Sequence, residues 1–140
     1  TGIATFETQT PDYDQWDKAH TEHCRLIAEQ DGEVMGWAAL SPVSSRCVYG
    51  GVGEVSVYIS NKSRGKGIGK LLMEQLIRES EEAGYWTIQS GIFPENTASI
   101  KLHEKMGFRY IGKRERVGKI HGVWKDNLLF EKRSDKVGMD

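Results

Sequence analysis

The first part of the chain alternates polar turns with short apolar segments. Residues 25–30 and 33–40 have the length and composition of strands, and Asp31-Gly32 between them is a strong hairpin signal. Before them, a helix is predicted around residues 12–24, with an aspartate as its N-cap. We therefore expect a helix followed by an antiparallel hairpin.

Strict alternation marks a third strand at 54–59, in which Val55 and Val57 share one face and Glu54 begins the other. The glycine-rich segment 61–69 follows this strand. Next comes the apolar stripe of a helix of about four turns, made of Leu71, Leu72, Met73, Leu76, Ile77 and Ala83. A strand that enters such a turn is a ready-made anion site, because the first N–H groups of a helix lack intrahelical partners and carry partial positive charge.

The second half repeats the order of strand and helix. Asn96 or Thr97 is a suitable cap for its helix. The predicted elements are a strand at 85–93, a helix at 98–106, a strand beginning at 108–112, a last strand at 124–131 and a flexible tail at 132–140. This order predicts an α/β fold with a mixed sheet, in which the strand–helix–strand links 54–93 and 85–112 require parallel pairing.

Composition narrows the class of protein. The 140 residues suffice for one domain, 1–140, and 28% charged with 38% apolar residues indicate a globular chain. A formal net charge of −1 gives no electrostatic case for a nucleic-acid partner. Neither a run of apolar residues that could span a bilayer nor a signal peptide is visible, so we predict no membrane partner and a cytoplasmic location.

His20, His23 and Cys24 have the spacing H-x-x-H-C, and a metal site is one interpretation of it. A solvated helix face is the better one, because a structural zinc site needs a fourth ligand and well-spaced pairs. We therefore expect no metal. Cys24 and Cys47 are isolated, which favours two reduced thiols over a disulfide.

The glycine-rich turn departs from two common nucleotide motifs. A Walker A loop requires G-x-x-x-x-G-K-[ST], but here Gly69-Lys70 precedes a leucine, and Arg64 stands where the first glycine belongs. A dinucleotide fingerprint requires G-x-G-x-x-G, whereas Gly65, Gly67 and Gly69 give G-x-G-x-G. The remaining pattern is R-x-x-G-x-G.

R-x-x-G-x-G between a strand and a helix resembles the acetyl-CoA motif of the GNAT N-acetyltransferases. The segment from Asn96 to Phe108, with Ser99 and Leu102-His103-Glu104, is similar to the second cofactor-side motif of that superfamily. A narrower resemblance is to the phosphinothricin and methionine sulfoximine acetyltransferase branch. It is carried by EVSVYI at 54–59, LHE at 102–104, VGK at 117–119 and WKD at 124–126. The resemblance covers roughly residues 5–131.

This resemblance implies the GNAT fold, a mixed central sheet flanked by helices in which strands 54–60 and 85–91 begin together and then splay apart. The pantetheine arm of acetyl-CoA would lie in the gap, near Val57, and the pyrophosphate would lie on backbone N–H groups of the turn. The cofactor-binding residues implied are Ser56, Val57, Tyr58, Arg64, Gly65, Lys66, Gly67, Ile68, Gly69, Lys70, Asn96 and Ser99.

Acetyl transfer to an amine needs a base for the ammonium, polarisation of the thioester carbonyl and a proton for the thiolate. Glu54 is the candidate base, directly or through a water, and burial at the start of the strand would strengthen it. A backbone N–H near Val57 would bind the developing oxyanion. Neither cysteine lies in the motifs and no Ser-His-Asp arrangement is visible, so direct transfer in a ternary complex is preferred to an acyl-enzyme.

The proton donor for the thiolate has several candidates. Many GNAT enzymes carry a tyrosine for this step, and this chain has His103 at that position. His103 is therefore either the acid or a neutral imidazole that packs against the cofactor. Tyr58 and Tyr110 stay alternatives for the acid.

The acceptor is expected between loop 43–53 and segment 113–124. Its predicted contacts are Trp37, Arg46, Tyr49 and Trp124. An amino-acid acceptor needs a clamp for its carboxylate, ideally an arginine. Members of the narrower branch tend to carry that arginine directly after the position of Tyr49, where this chain has Gly50, and Arg46 is the nearby substitute.

The predicted function is acetyl-CoA-dependent N-acetylation of a small amino-acid-like amine, of the phosphinothricin or methionine sulfoximine type. The alternatives are acetylation of a peptide or protein N-terminus and a non-catalytic acyl-CoA-binding module. The resemblance also implies a homodimer. Family members begin with a strand and a helix that this chain, which starts at Thr1, lacks, so we expect an N-terminally incomplete domain.

Overall fold

A computed structural model describes residues 24–140. Over this range six strands form one mixed sheet in the order β1-β2-β3-β4-β6-β5, and two α-helices connect its later strands. The strands are β1 Arg25–Gln30, β2 Glu33–Pro42, β3 Val52–Ile59, β4 Thr87–Ile92, β5 Arg109–Ile120 and β6 Val123–Arg133; the helices are α1 Ile68–Glu82 and α2 Thr97–Lys105. The predicted order of elements is confirmed. The helix predicted around 12–24, with His20 and His23, lies outside the described residues apart from its last position.

Two hairpins have the same type of two-residue turn. Asp31 and Gly32 have φ of 53° and 78°, the left-handed pair that a two-residue turn of type I′ requires. His121 and Gly122, with φ of 49° and 77°, join β5 to β6 in the same way. β5 continues to Ile120, so the segment 113–124 is the distal half of this second hairpin.

The parallel contact between β3 and β4 is short. Their paired residues are Val52 with Thr87, Gly53 with Ile88 and Glu54 with Gln89. Beyond this point β3 continues beside β2 to Ile59, while β4 continues beside β6 to Ile92. The predicted splay of the two strands is therefore confirmed, and Glu54 lies at its vertex.

The second predicted parallel pairing was wrong. β6 lies between β4 and β5 and pairs antiparallel with both. β4 and β5 thus run in the same direction without being neighbours. A crossover helix fixes the relative direction of two strands, but it leaves room for a later strand between them.

The two faces of the sheet differ. Leu40, Val55 and Ile88 lie on one face and form the core with Leu72, Met73 and Leu76 of α1. Phe130 shares this face, and His103 of α2 packs against it with ring centroids 6.2 Å apart. We call this the helix face.

Side chains alternate along β3, so Glu54, Ser56 and Tyr58 lie on the other face of the sheet, which we call the acceptor face. Leu71 was predicted in the apolar stripe of α1, but it is 63% exposed and does not belong to the buried side of that helix.

The chain end is tied to α1 and β4. β6 extends to Arg133, so the tail predicted from Lys132 begins inside this strand. Ser134 is buried, and its hydroxyl donates to Glu81 Oε2 at 2.6 Å. The guanidinium of Arg133 donates to the carbonyl oxygens of Ser134, Val137 and Gly138.

Candidate active site

The vertex of the splay places Glu54 between two neighbouring strands. Its register partners are Ser41 on β2 and Gln89 on β4, and its side chain lies on the acceptor face. Burial would have strengthened Glu54 as a base, but its side chain is exposed. Among the described residues, α1 and α2 both pack on the helix face and neither covers it.

The register also decides which backbone groups of β3 face the gap. The N–H of Ser60 donates to the carbonyl of Met35 at 2.8 Å, so the backbone groups of even-numbered residues in β3 point towards β2. Those of Val57 and Ile59 consequently point away from β2, into the gap. Pairing with β4 ends at Glu54, so the N–H of Val57 is the first gap-facing donor without a strand opposite it within residues 24–140.

The glycine-rich turn presents backbone donors at the start of α1. Gly67 is the N-cap, with φ of 77° and no side-chain cap. The first intrahelical hydrogen bond runs from the N–H of Leu71 to the carbonyl of Gly67, which leaves the N–H groups of Ile68, Gly69 and Lys70 without helical acceptors. Such a cluster of uncharged donors fits a diphosphate.

The three glycines of the turn serve different purposes. Gly65 and Gly67 have φ of 80° and 77°, and a Cβ at either position would meet nothing within 4 Å, so glycine is needed there for conformation. A Cβ on Gly69 would lie 3.1 Å from Leu102 Cδ2, so glycine there allows α1 to approach α2. The turn and the second motif are thereby held together.

Cations around the turn fall into two groups. Lys62 and Lys70 form ion pairs with Glu33 and Glu74, at 3.5 and 3.8 Å. Arg64 and Lys66, two of the three cations that the resemblance implies for the cofactor, are exposed and form no ion pair with the described part of the chain. Their charges are available to an anion, although exposed charges contribute little individually.

The second motif is organised around Ser99. Asn96, one of the two caps that the sequence offered, is the N-cap of α2, and its Oδ1 accepts a hydrogen bond from the N–H of Ser99 at 3.2 Å. Nδ1 of His103 donates to the carbonyl of Ser99 at 2.7 Å. The imidazole is buried and packs edge-on against Phe108, with ring centroids 4.8 Å apart.

These contacts bear on the proton state of His103. Burial lowers the pKa of the imidazole below its ordinary value of 6.5, and the hydrogen bond to Ser99 opposes this shift only in part. The ring is therefore neutral near pH 7, with its single N–H committed to Ser99. Its Nε2 is buried and has no hydrogen-bond partner among the described residues. The arrangement favours a packed neutral imidazole over an acid.

The four residues predicted for the acceptor do not form one group. Trp37 stacks on Tyr58 on the acceptor face, with ring centroids 6.2 Å apart. Arg46 and Tyr49 are exposed in the loop between β2 and β3, which leads into the vertex. The pairing of β4 with β6 ends at Ile92 and Leu128. Trp124 precedes Leu128 by four residues on β6, so it lies about 13 Å outside the part of β6 that pairs with β4. The chain therefore does not bring Trp124 to Arg46 and Tyr49.

One polar side chain near the vertex lies outside the motifs identified in the sequence. Asn127 is only 7% exposed, and it occurs in the strand segment 124–131 beside two leucines. Asparagine is disfavoured inside strands, so its presence there was an available signal.

The described residues offer neither a metal site nor a disulfide. No group of three His, Cys, Asp or Glu side chains within 24–140 is placed to hold a metal ion. Cys24 and Cys47 are both unbridged. Burial, with the nearby Glu79 and Glu82, raises the pKa of Cys24 to about 11, which makes it a poor nucleophile. Over the same range, no helix is long and apolar enough to cross a membrane.

Comparisons with known proteins agree with this geometry. Residues 3–108 match the model of the Acetyltransferase (GNAT) family. Over 111 residues the chain is 32% identical to the L-methionine sulfoximine/L-methionine sulfone acetyltransferase of Salmonella typhimurium, a match that covers 79% of this chain and 65% of the relative. The chain thus spans slightly less than two thirds of that relative's length.

Two solved structures are similar in fold. A ribosomal-protein-alanine N-acetyltransferase from Brucella melitensis gives a TM-score of 0.86 at 32% identity, covering 94% of this chain and 85% of that one. A GNAT superfamily phosphinothricin acetyltransferase from Sinorhizobium meliloti, in complex with AcCoA, gives 0.80 at 27% identity, covering 99% and 83%. With the family model spanning most of its length, the chain belongs to the GNAT family of acetyltransferases.

Proposed function

We propose that this protein is an acetyl-CoA-dependent N-acetyltransferase whose acceptor is a small amino-acid-like amine of the phosphinothricin or methionine sulfoximine type. One observation carries the proposal: a carboxylate, Glu54, lies at the vertex of the splay, three residues before the gap-facing N–H of Val57. The acceptor class is supported by the names of the Salmonella relative and the Sinorhizobium structure.

Acetyl-CoA supplies an activated acetyl group, and this chain offers two places to hold it. The backbone N–H groups of Ile68, Gly69 and Lys70 suit the pyrophosphate, and Arg64 and Lys66 add charge. The capped start of α2 suits the pantetheine arm. Gly69 packs against Leu102, so the two places are in direct contact.

Glu54 takes a proton from the acceptor ammonium, directly or through a water. The amine nitrogen then forms a bond to the acetyl carbon while the bond from that carbon to sulfur breaks. The N–H of Val57 stabilises the charge that develops on the carbonyl oxygen. A second proton leaves the nitrogen as the amide forms, and one proton is taken up by the thiolate.

We assign the thiolate's proton to solvent and not to His103, because the only N–H of that ring is held by Ser99. A thiol has a pKa of about 8.5, so its thiolate is a competent leaving group near neutral pH without a strong acid beside it. Transfer is direct, in a ternary complex. Cys24 is buried with a raised pKa, and Cys47 lies in the exposed loop.

The test measures thiol release from acetyl-CoA with a panel of amines that includes phosphinothricin and methionine sulfoximine. Glu54→Gln should lower kcat by at least about a hundredfold, the scale of general-base catalysis. Glu29→Gln, an exposed carboxylate on β1, is the matched control and should leave kcat unchanged. Initial rates should give intersecting lines, since parallel lines would indicate an acyl-enzyme.

Two outcomes would replace this proposal. If wild type and Glu54→Gln release thiol only at background while CoA still binds, the protein is an acyl-CoA-binding module. If peptides beginning with alanine are far better acceptors than free amino acids, the acceptor is a protein N-terminus. The similarity to the Brucella ribosomal-protein-alanine N-acetyltransferase makes this the second candidate.

A further inference from the structure

Asn127 lies on the same face of the sheet as Glu54, and the strand register shows it. Glu54 pairs with Gln89, and Gly91 follows Gln89 on the same side of β4. Gly91 pairs with Leu129, and Asn127 shares the face of Leu129 on β6. Both side chains therefore lie on the acceptor face, away from α1 and α2.

The side chain of Asn127 reaches back over β4. A Cβ on Gly91 would lie 2.5 Å from its Oδ1 and 3.1 Å from its Nδ2, so the amide occupies the space above this glycine. Gly91 itself is exposed. It lies two residues beyond the vertex, which is about 7 Å along the strand. The amide thus borders the open part of the acceptor face.

Asn127 is 7% exposed as a residue, and its side chain forms no hydrogen bond to another described residue. Within residues 24–140, Nε2 of His103 is the side-chain atom that is both sealed from solvent and without a partner. The amide of Asn127 is not in that state, so its polar atoms keep access to solvent and are open to a ligand. The amide of Asn127 has two donors and an acceptor available at the mouth of the site.

We propose that Asn127 binds the acceptor by donating from its Nδ2 to the acceptor's carboxylate. The inference rests on the proposed function, because it names the partner of a second group on the same substrate. An amino acid presents an ammonium and a carboxylate, and the acceptor face presents an anionic Glu54 for the first and a neutral donor for the second. Asn127 on β6 holds the carboxylate while Glu54 on β3 takes the proton of the ammonium.

The experiment compares L-methionine sulfone with its primary carboxamide as acceptors. Asn127→Leu should raise KM for the carboxylate at least about tenfold, because a hydrogen bond to a charged group is lost, and should raise KM for the carboxamide less. Asn127→Asp should invert the preference, since two carboxylates repel each other while a carboxamide donates to the new one. KM for acetyl-CoA should not change.

A second variant removes the interaction without changing the amide. Gly91→Ala should displace Asn127 and raise KM for the carboxylate, whereas in the Asn127→Ala background the same change should add nothing. This pair keeps the inference testable if the leucine and aspartate variants fail to fold, which thermal unfolding would show. A carboxylate-to-carboxamide ratio of KM that is the same in wild type and variants overturns the inference.

The inference and the proposed function fail differently. If wild type acetylates an acceptor but the carboxylate-to-carboxamide ratio of KM is the same in every variant, the proposed function stands and Asn127 has no role in binding the acceptor. If no acceptor is acetylated, calorimetric titration of L-methionine sulfone into the protein with CoA decides. Binding that Asn127→Leu weakens about tenfold retains the role of Asn127, and absent binding overturns both.

Discussion

At the scale of single residues, His103 shows how burial changes the chemistry that a motif position implies. Its place in the second motif allows an acid, but the ring is enclosed by Phe108 and Phe130 and donates its one N–H to Ser99. A buried imidazole with a lowered pKa, whose one proton is already hydrogen-bonded, is poorly suited to protonate a thiolate. The sequence contains the residue type, whereas the packing decides its proton state.

Replacing His103 by glutamine should change stability more than the shape of the activity profile. Loss of a general acid typically lowers rate by about 10²–10⁴-fold. Our proposal takes the thiolate's proton from solvent, so we expect His103→Gln to lower kcat by less than about tenfold and to leave the form of the kcat/KM–pH profile unchanged. A loss of two orders of magnitude together with the disappearance of one limb of the profile would restore the acid role.

The same variant tests the lowered pKa. The unfolded chain binds a proton on this imidazole near pH 6.5, whereas the folded chain does so only at lower pH. The folded protein therefore loses stability as pH falls below 6.5. Urea unfolding between pH 7.5 and 5 should show a shallower loss for His103→Gln than for wild type, and equal slopes would contradict the shift.

Gly50 permits a test of the acceptor clamp. Its φ of −63° is accessible to any residue, and a Cβ would meet only the carbonyl of Cys47, at 3.2 Å. Gly50→Arg should lower KM for phosphinothricin about two- to fivefold, a modest gain because the position is exposed. Gly50→Gln has a similar reach without the charge and should give no gain. An equal effect of both variants would indicate packing rather than charge.

At the scale of elements, the turn between β3 and α1 combines two requirements that sequence alone could anticipate. A left-handed backbone is needed at Gly65 and Gly67, and the helix start must be left without a side-chain cap. Both follow from local preferences, which is why the motif could be placed on a strand–turn–helix unit from sequence. The different role of Gly69, its contact with Leu102, required the packed structure.

Gly67→Ala should damage both stability and cofactor binding. A non-glycine residue in the left-handed region costs roughly 1–2 kcal/mol. Since the strain also redirects the first N–H groups of α1, KM for acetyl-CoA should rise at least about fivefold. Gly32→Ala is the matched control: its φ is 78° and its Cβ would also meet nothing within 4 Å. We expect a similar loss of stability from that control with KM unchanged.

At the scale of the whole molecule, the chain end holds α1 and β4 together. Ser134 is hydrogen-bonded through its hydroxyl to Glu81 on α1, and through its N–H to the carbonyl of Trp86 before β4. Ser134→Ala should lower the free energy of unfolding by about 1–2 kcal/mol, because a hydrogen bond to a charged group is lost. The exposed neighbour Asp135 provides the control, Asp135→Ala. Indistinguishable urea midpoints for the two variants would mean that this contact does not stabilise the fold.

A homodimer, proposed from the family resemblance, is a property of this scale too. Tyr110, Val123 and Trp124 on the β5–β6 hairpin are each more than half exposed, but Val123 and Trp124 are consecutive strand residues on opposite faces and do not form one apolar patch. The proposal of a homodimer therefore rests on the resemblance.

The sequence by itself determined the order of elements, both strands of the first hairpin, the cap of α2 and the acetyl-CoA motif. These features depend on backbone conformation and on side-chain periodicity within a few residues, which a local pattern records. Only the tertiary structure decided that β6 separates β4 from β5, that Glu54 is exposed at the vertex, that His103 is enclosed, and that Asn127 lies over Gly91. Each of these depends on pairing between residues far apart in the chain, and burial follows from that pairing rather than from residue type.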